Sequence, residues 1–355
     1  MTVAQDDLFG SLFEHRDRRI DRLGNPLLEL DAQVDWEAFR PLLDQVRHKV
    51  RKSSAGRKPW DGVLMFKALV IASLYNLSDE QLEFQIEDRR SFQRFIGLSD
   101  AKHAPDRNSF WLFRESLKEL KLTETLFNEF NRQLDRAGLI ARKGQLIDAS
   151  FVKAPVQRNT PDENARIKAG ETVEDWSVSK RSQKDTDARW TKKGDKSYYG
   201  YKNHVNVDNA HKLVRKYTVT DASVHDSQTL NGLLDSGNTS RDLWADSAYR
   251  SEAVEEQLKV QGYRSRIHRK GVRGKPLTDR EKQGNSTRSK TRCRVEHVFA
   301  WMAQWGGKAI RCIGLARAEV RIGFMNLVYN MRRFCAIRRV TCVLMAPSGA
   351  EKASS

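Results

Sequence analysis

Apolar positions fall along this chain in two rhythms. Over the first third they recur at helical spacing. Trp60, Val63, Leu64, Phe66, Ala68, Leu69, Ile71 and Leu74 form a stripe wide enough for a helix buried on all sides. Ser78-Asp79-Glu80-Gln81 has capping-box spacing and predicts a helix with an apolar face through Leu82 and Ile86. Phe92 to Leu98 reads as a helix stopped at Gly97. Pro105-Asp106-Arg107-Asn108-Ser109 starts another that carries Phe110, Phe113 and Leu117. Short helices joined by tight turns, with arginines at 89, 90, 94, 107 and 114, fit either a helix-turn-helix-like reader or a dimerisation unit.

From Lys143 the pattern becomes strand-like. Leu146-Ile147 leads to Asp148 and Phe151-Val152 continues the strand. Tyr201 to Asp208 alternates, Asn209-Ala210-His211 turns, and Leu213 to Thr220 returns. A helix from Asp226, read as its N-cap, through Leu234 precedes a strand that ends at Asp246. Ser251 caps a helix with Ala253, Val254 and Leu258 that stops at Gly262, and Tyr263 to Ile267 is a further short strand. Three strands, helix, strand, helix, strand and a late helix is the order of a ribonuclease-H-like fold, a mixed α/β sheet flanked by helices. Val320 to Arg333 reads as a core helix.

These patterns divide the chain into a helical DNA-binding or dimerisation domain over 1–138, a catalytic domain over 139–345 and a flexible tail over 346–355. Within the catalytic domain, 156–197 is polar with few apolar anchors and is expected to be an extended or mobile insertion. Residues 264–294 are expected to form a basic loop.

Charge narrows the partner. The 355 residues carry a formal charge of +17, and a surplus of that size favours a polyanion. Twelve Lys and Arg lie between Arg264 and Arg294, against Asp279 and Glu281 alone. They do not line an amphipathic helix, which disfavours a membrane surface and leaves nucleic acid. The four cysteines form no C-x-x-C pair and read as free thiols of a reducing compartment. Met1 to Arg19 contains no apolar run, and no stretch is long enough to span a bilayer. The expected location is cytoplasmic, in contact with the nucleoid when DNA is bound.

Three acids stand out in this setting. Asp148 and Asp246 each close an apolar run, and Glu296 lies in a helical pattern whose Val295, Val298, Phe299 and Met302 would face the sheet. Two acids on strands and one on a late helix suit two divalent cations acting on a nucleic-acid phosphate. Magnesium takes hard oxygen ligands and keeps several waters, so a few carboxylates suffice. Asp148 is the expected shared ligand, with Asp246 holding one ion and Glu296 the other. Arg292, one helical turn before Glu296, can neutralise an acid or a phosphate. Lys202, His204, Tyr249, Arg250, Arg269, Lys270, Arg273, Lys290 and Arg292 are the expected DNA contacts. Asp221, His225 and Asp226 read as structural.

The ordered motifs resemble the DDE transposases of bacterial insertion sequences, within insertion-sequence family five. The resemblance rests on Pro105-Asp106 with Ser109 and Phe113-Arg114, Asp148-Ala149-Ser150, Gly200-Tyr201-Lys202, Ala245-Asp246-Ser247-Ala248-Tyr249 and Arg292-Cys293-Arg294-Val295-Glu296-His297-Val298-Phe299. Gly314-Leu315-Ala316-Arg317-Ala318, Asn326-Leu327 and Tyr329-Asn330-Met331-Arg332-Arg333 extend it over nearly the whole chain. It implies a catalytic triad of Asp148, Asp246 and Glu296 using magnesium or manganese. It also implies binding to terminal inverted repeats, release of 3′-hydroxyl ends and their attack on target DNA, with at least a dimer pairing two ends. In the tyrosine, arginine, glutamate and lysine signature of related enzymes, Arg292 and Glu296 match, whereas the outer positions are Ser289 and Ala303. The alternatives are a structure-specific nuclease that cuts without joining and a catalytically silent DNA-binding relative.

Overall fold

The computed structural model describes residues 14–47, 58–98, 103–157, 159–171, 173–271, 274 and 276–345. The tail expected over 346–355, and Arg273, lie outside the described residues.

The N-terminal part is helical: α1 (Pro26–Gln33), α2 (Arg40–Leu43), α3 (Gly62–Leu74), α4 (Asp79–Asp88), α5 (Arg90–Ile96), α6 (Arg107–Glu119) and α7 (Leu122–Arg136). The Asp61 carboxylate caps α3, accepting from the backbone N–H groups of Val63 (2.9 Å) and Leu64 (3.1 Å). Every α3 residue except Lys67 is buried, as its almost wholly apolar sequence requires. Ser78 and Gln81 form the capping box of α4, and α5 ends on Gly97 in the left-handed region, φ 74°. No single described helix is long and apolar enough to cross a membrane.

The arginines of this region are used inside the chain. Arg90 pairs with Asp17 at 2.7 Å and Arg94 with Asp21 at 2.9 Å, while Arg107 meets Glu80 and Arg114 meets Asp79. Arg89 lies over the Phe92 ring. These contacts brace one helix against another, which removes the arginine argument for a DNA-reading helix.

The remaining elements are β1 (Gln145–Lys153), α8 (Pro161–Ala169), α9 (Val178–Ser182), β2 (Arg189–Lys193), β3 (Lys196–Asp208), β4 (Val214–Asp221), α10 (Leu230–Leu233), β5 (Asp242–Ala245), α11 (Glu252–Val260), β6 (Arg264–Ser265), α12 (Asp279–Gln304) and α13 (Leu315–Met345). Central β1 runs antiparallel to β3 and parallel to β5, β5 is parallel to β6, and β4 pairs with β3. Apart from β2, which lengthens β3 into a hairpin, the order is β4-β3-β1-β5-β6. That order, with three antiparallel strands followed by two parallel ones, is a ribonuclease-H-like sheet.

One face of the sheet packs on α12, α13 and the N-terminal helices in a continuous core that contains Leu146, Val205, Val298, Leu327 and Phe130. The other face packs on α10 and α11 through Ile147, Leu230, Leu243 and Leu258. Polar pairs fix α13 on the sheet. Buried Asn203 and Asn326 exchange amide hydrogen bonds of 2.8 and 3.1 Å, and Asn330 bonds both the N–H and C=O of Val214.

Three expectations are corrected. The 156–197 insertion contains two helices and a strand, closed over a small cluster of Ile167, Val173 and Trp176. Thr160 and Glu163 make a capping box, and Trp176 donates to Glu163 at 2.7 Å. The basic segment is helical from Asp279, where Thr278 and Glu281 form another capping box. Finally, His225, not Asp226, is the N-cap of the short 226–229 turn that leads into α10, and Asp226 lies inside that turn, paired with Lys202 at 2.9 Å.

Candidate active site

The pairing of β1 with β5 sets the two strand acids. Ile147 pairs with Ala245 at the last parallel step. Asp148 and Asp246 follow in register, and period-two alternation turns both to the face covered by α12. Val295, Val298 and Met302 seat α12 on that face. Arg292 and Glu296, four residues apart, share one side of the helix.

Arg292 joins two of the three acids. Its Nη1 donates to Asp148 Oδ2 at 2.9 Å and its Nη2 to Glu296 Oε1 at 2.8 Å. Asp148 Oδ1 accepts from Ala149 N–H at 2.8 Å. Asp246 Oδ1 accepts from the backbone N–H of Ser247 and from its hydroxyl at 3.1 Å. Burial, with a smaller push from the charge of Asp246, lifts the Asp148 carboxyl to about 6 against the pull of the Ala149 N–H and Arg292. Glu296 remains exposed, held by Arg292.

Among the described residues, no three His, Cys, Asp or Glu side chains converge as a ready metal cage. The donor set nevertheless fits a divalent ion. Two hard carboxylates stand side by side on neighbouring strands, one costly to keep charged without a nearby cation. Arg292 supplies positive charge at that point, and Glu296 lies on its other side.

His268 escaped the sequence reading. Its backbone N–H bonds the Ala245 carbonyl just past β6, so it stands beside the strand end that carries Asp246. Burial and Arg292 lower its pKa while Asp246 opposes them. Its Nε2 lies 3.4 Å from the hydroxyl of Ser289. The signal in the sequence was a histidine directly after a parallel strand, where sheet sites gather.

The expected DNA contacts separate into two groups. Lys202, His204 and Tyr249 are buried, and the expectation of direct contact is corrected for all three. Lys202 donates to the Val224 carbonyl at 2.7 Å and to Asp226 at 2.9 Å. His204 lies between Thr220 and Thr229, and burial lowers it to about 4, so it is neutral. Strand β3 is covered on both faces, so its polar side chains point inward as well as its apolar ones. Arg250 is half-buried, bonding the Ile267 carbonyl and Glu255. Arg269 pairs with Glu281 at 2.7 Å, while Lys270 and Lys290 are exposed beside the site's helix and strand end.

The family model described as "Transposase DDE domain" matches residues 141–331, the stretch that holds all three acids. The chain belongs to the DDE-domain transposase family. A second model, described as "Transposase domain (DUF772)", matches residues 14–116 of the transposase. The cryo-EM structure of the piggyBac transposase synaptic complex with hairpin DNA is similar at 12% identity and TM-score 0.44, covering 93% of this chain and 86% of that one. The Mos1 strand transfer complex is similar at 13% identity and TM-score 0.24, covering 81% of each chain. The transposase binds DNA and catalyses its cleavage and strand transfer, as a divalent-metal-dependent enzyme.

Proposed function

We propose that this transposase mobilises a bacterial insertion sequence of family five, acting in the cytoplasm on terminal inverted repeats and on target DNA. Asp148, Asp246 and Glu296 are the catalytic acids, and magnesium or manganese is the metal. The observation that carries this reading is that Asp148 and Asp246 each follow the last parallel pair of β1 and β5, with Arg292 tying Asp148 to Glu296.

Asp148 and Asp246 would hold the shared and first ions from the rigid sheet, and Glu296 the second from α12. Two bound ions supply charge stabilisation to the attacking and leaving oxygens of an in-line phosphoryl displacement. The protein's own part is positioning. Sheet register fixes the first two acids, the apolar seat of α12 fixes the third, and Arg292 neutralises negative charge between them. A guanidinium there also suits a DNA phosphate. Lys270, Lys290 and Arg269 are the basic groups best placed to hold the DNA backbone, and the 1–138 helices serve pairing of two ends in at least a dimer.

The test is cleavage of DNA that carries the inverted repeats, with magnesium, manganese, calcium or chelator. Asp148→Asn, Asp246→Asn and Glu296→Gln should each lose several kcal/mol of transition-state stabilisation, ~10³-fold in rate or more. Metal-dependent 3′-hydroxyl ends that persist undiminished in these variants would refute the assignment.

A further inference from the structure

A second cationic site lies away from the three acids. A cavity of about 380 Å³ opens between the N-terminal helices and the start of α13, within the size range of small-ligand sites. Arg114 and Lys118 reach it from α6, Arg317 and Arg321 from α13, and Arg311 from the connecting segment; its only carboxylates are Asp79 and Glu115. The acids are already spent. Asp79 is paired with Arg114, and Glu115 takes a two-point contact from Arg317 at 2.7 and 3.0 Å as well as Lys118.

Arg321 is the anomaly. Its guanidinium makes one side-chain hydrogen bond, to the neutral amide oxygen of Asn76 at 2.9 Å, and has no carboxylate partner among the described residues. Burial lowers its pKa to about 10, with Arg114 and Arg311 pushing the same way and Cys312 and Asp79 opposing them. A half-buried cation facing other cations is costly, and the cost falls when an anion sits among them.

The rest of the lining says what else the anion carries. Leu77, Ile310 and Val320 make an apolar wall, and Trp111 presents an exposed indole at the rim, 47% accessible. A bare phosphate would leave that wall wet, whereas a flat ring attached to a phosphate would cover it. We propose that this cavity binds a nucleotide, its phosphate against Arg321 and Arg317 and its base against Trp111. The source is either a free nucleotide or an unpaired nucleotide of a DNA strand. The proposal concerns binding without divalent metal and stands apart from the cleavage reading.

The full-length protein in chelator would be titrated calorimetrically with inorganic phosphate, dAMP, a blunt duplex and the same duplex with an unpaired nucleotide at its end. Thermal unfolding would be followed in parallel. The wild type should bind dAMP, and Arg321→Met and Trp111→Ala should each weaken it tenfold or more. Phosphate alone should depend on Arg321 and not on Trp111. Without ligand, Arg321→Met should match or exceed the wild-type Tm, because an uncompensated charge has been removed. Tight binding of dAMP alone assigns the free nucleotide, and tenfold preference for the unpaired end, lost in Arg321→Met, assigns the strand. Binding of neither, binding indifferent to both substitutions, or an Arg321→Met variant that unfolds earlier with unchanged dAMP affinity would overturn the proposal.

Discussion

At the end of β3, Asp208 accepts from His211 N–H at 2.8 Å and closes the turn into β4. Burial pushes its carboxyl up to about 7, although the His211 N–H and Arg215 pull it down. Between ~3.9, the unfolded value, and about 7 the folded state binds the proton more tightly, so this group's contribution falls as pH rises. Wild type should therefore lose on the order of a few kcal/mol as pH rises from about 4 to about 7, and Asp208→Asn should lose less. Urea unfolding on both sides of the window measures it; identical pH dependence in the two proteins would rule out Asp208 as a source. Asn326 makes a second prediction at this scale. Asn326→Leu strands the buried amide of Asn203 and should cost ~1–3 kcal/mol. A loss below a few tenths would mean the amide pair is not a lock. The glycine of Gly200-Tyr201-Lys202 has a plain reason: at φ 143° its backbone lies against the Val152 carbonyl, where a Cβ would collide.

Elements were legible where they are buried and obscure where they are exposed. β5 and the second half of α12 bury regular apolar positions, so their period shows in the sequence, while α3 is legible from an apolar run buried on all sides. β2 reads Arg-Trp-Thr-Lys-Lys and is largely exposed; it is a strand because β3 pairs with it. The first half of α12 has no apolar stripe and is helical through its cap and charge pattern, which a tally of basic residues cannot reveal. For the same reason the acids were readable from their elements, while the interior roles of Lys202 and His204 required knowing that both faces of β3 are covered. The α12 cap is testable. Thr278→Ala removes a capping box and should cost ~1 kcal/mol. Hydrogen exchange should quicken in the first turn, 279–282, and remain slow around Val298. Unchanged exchange in that turn would mean the helix is held from elsewhere.

Over the whole molecule, much of the arginine charge of the N-terminal helices is tied into ion pairs, whereas Lys270 and Lys290 are exposed near the acids. Each phosphate they contact should add ~0.9 to the slope of log affinity against log salt. Lys270→Glu with Lys290→Glu should flatten that slope by roughly two; an unaltered slope would place the DNA elsewhere. The most direct measurement of the central claim supplies pre-cleaved inverted-repeat ends with free 3′-hydroxyls, target DNA and magnesium. Wild type should join the ends to the target and Asp246→Asn should not, although both bind the DNA. Joining by the Asp246→Asn protein at the wild-type rate, or cleavage by wild type on intact DNA with no joining of supplied ends, would contradict the account.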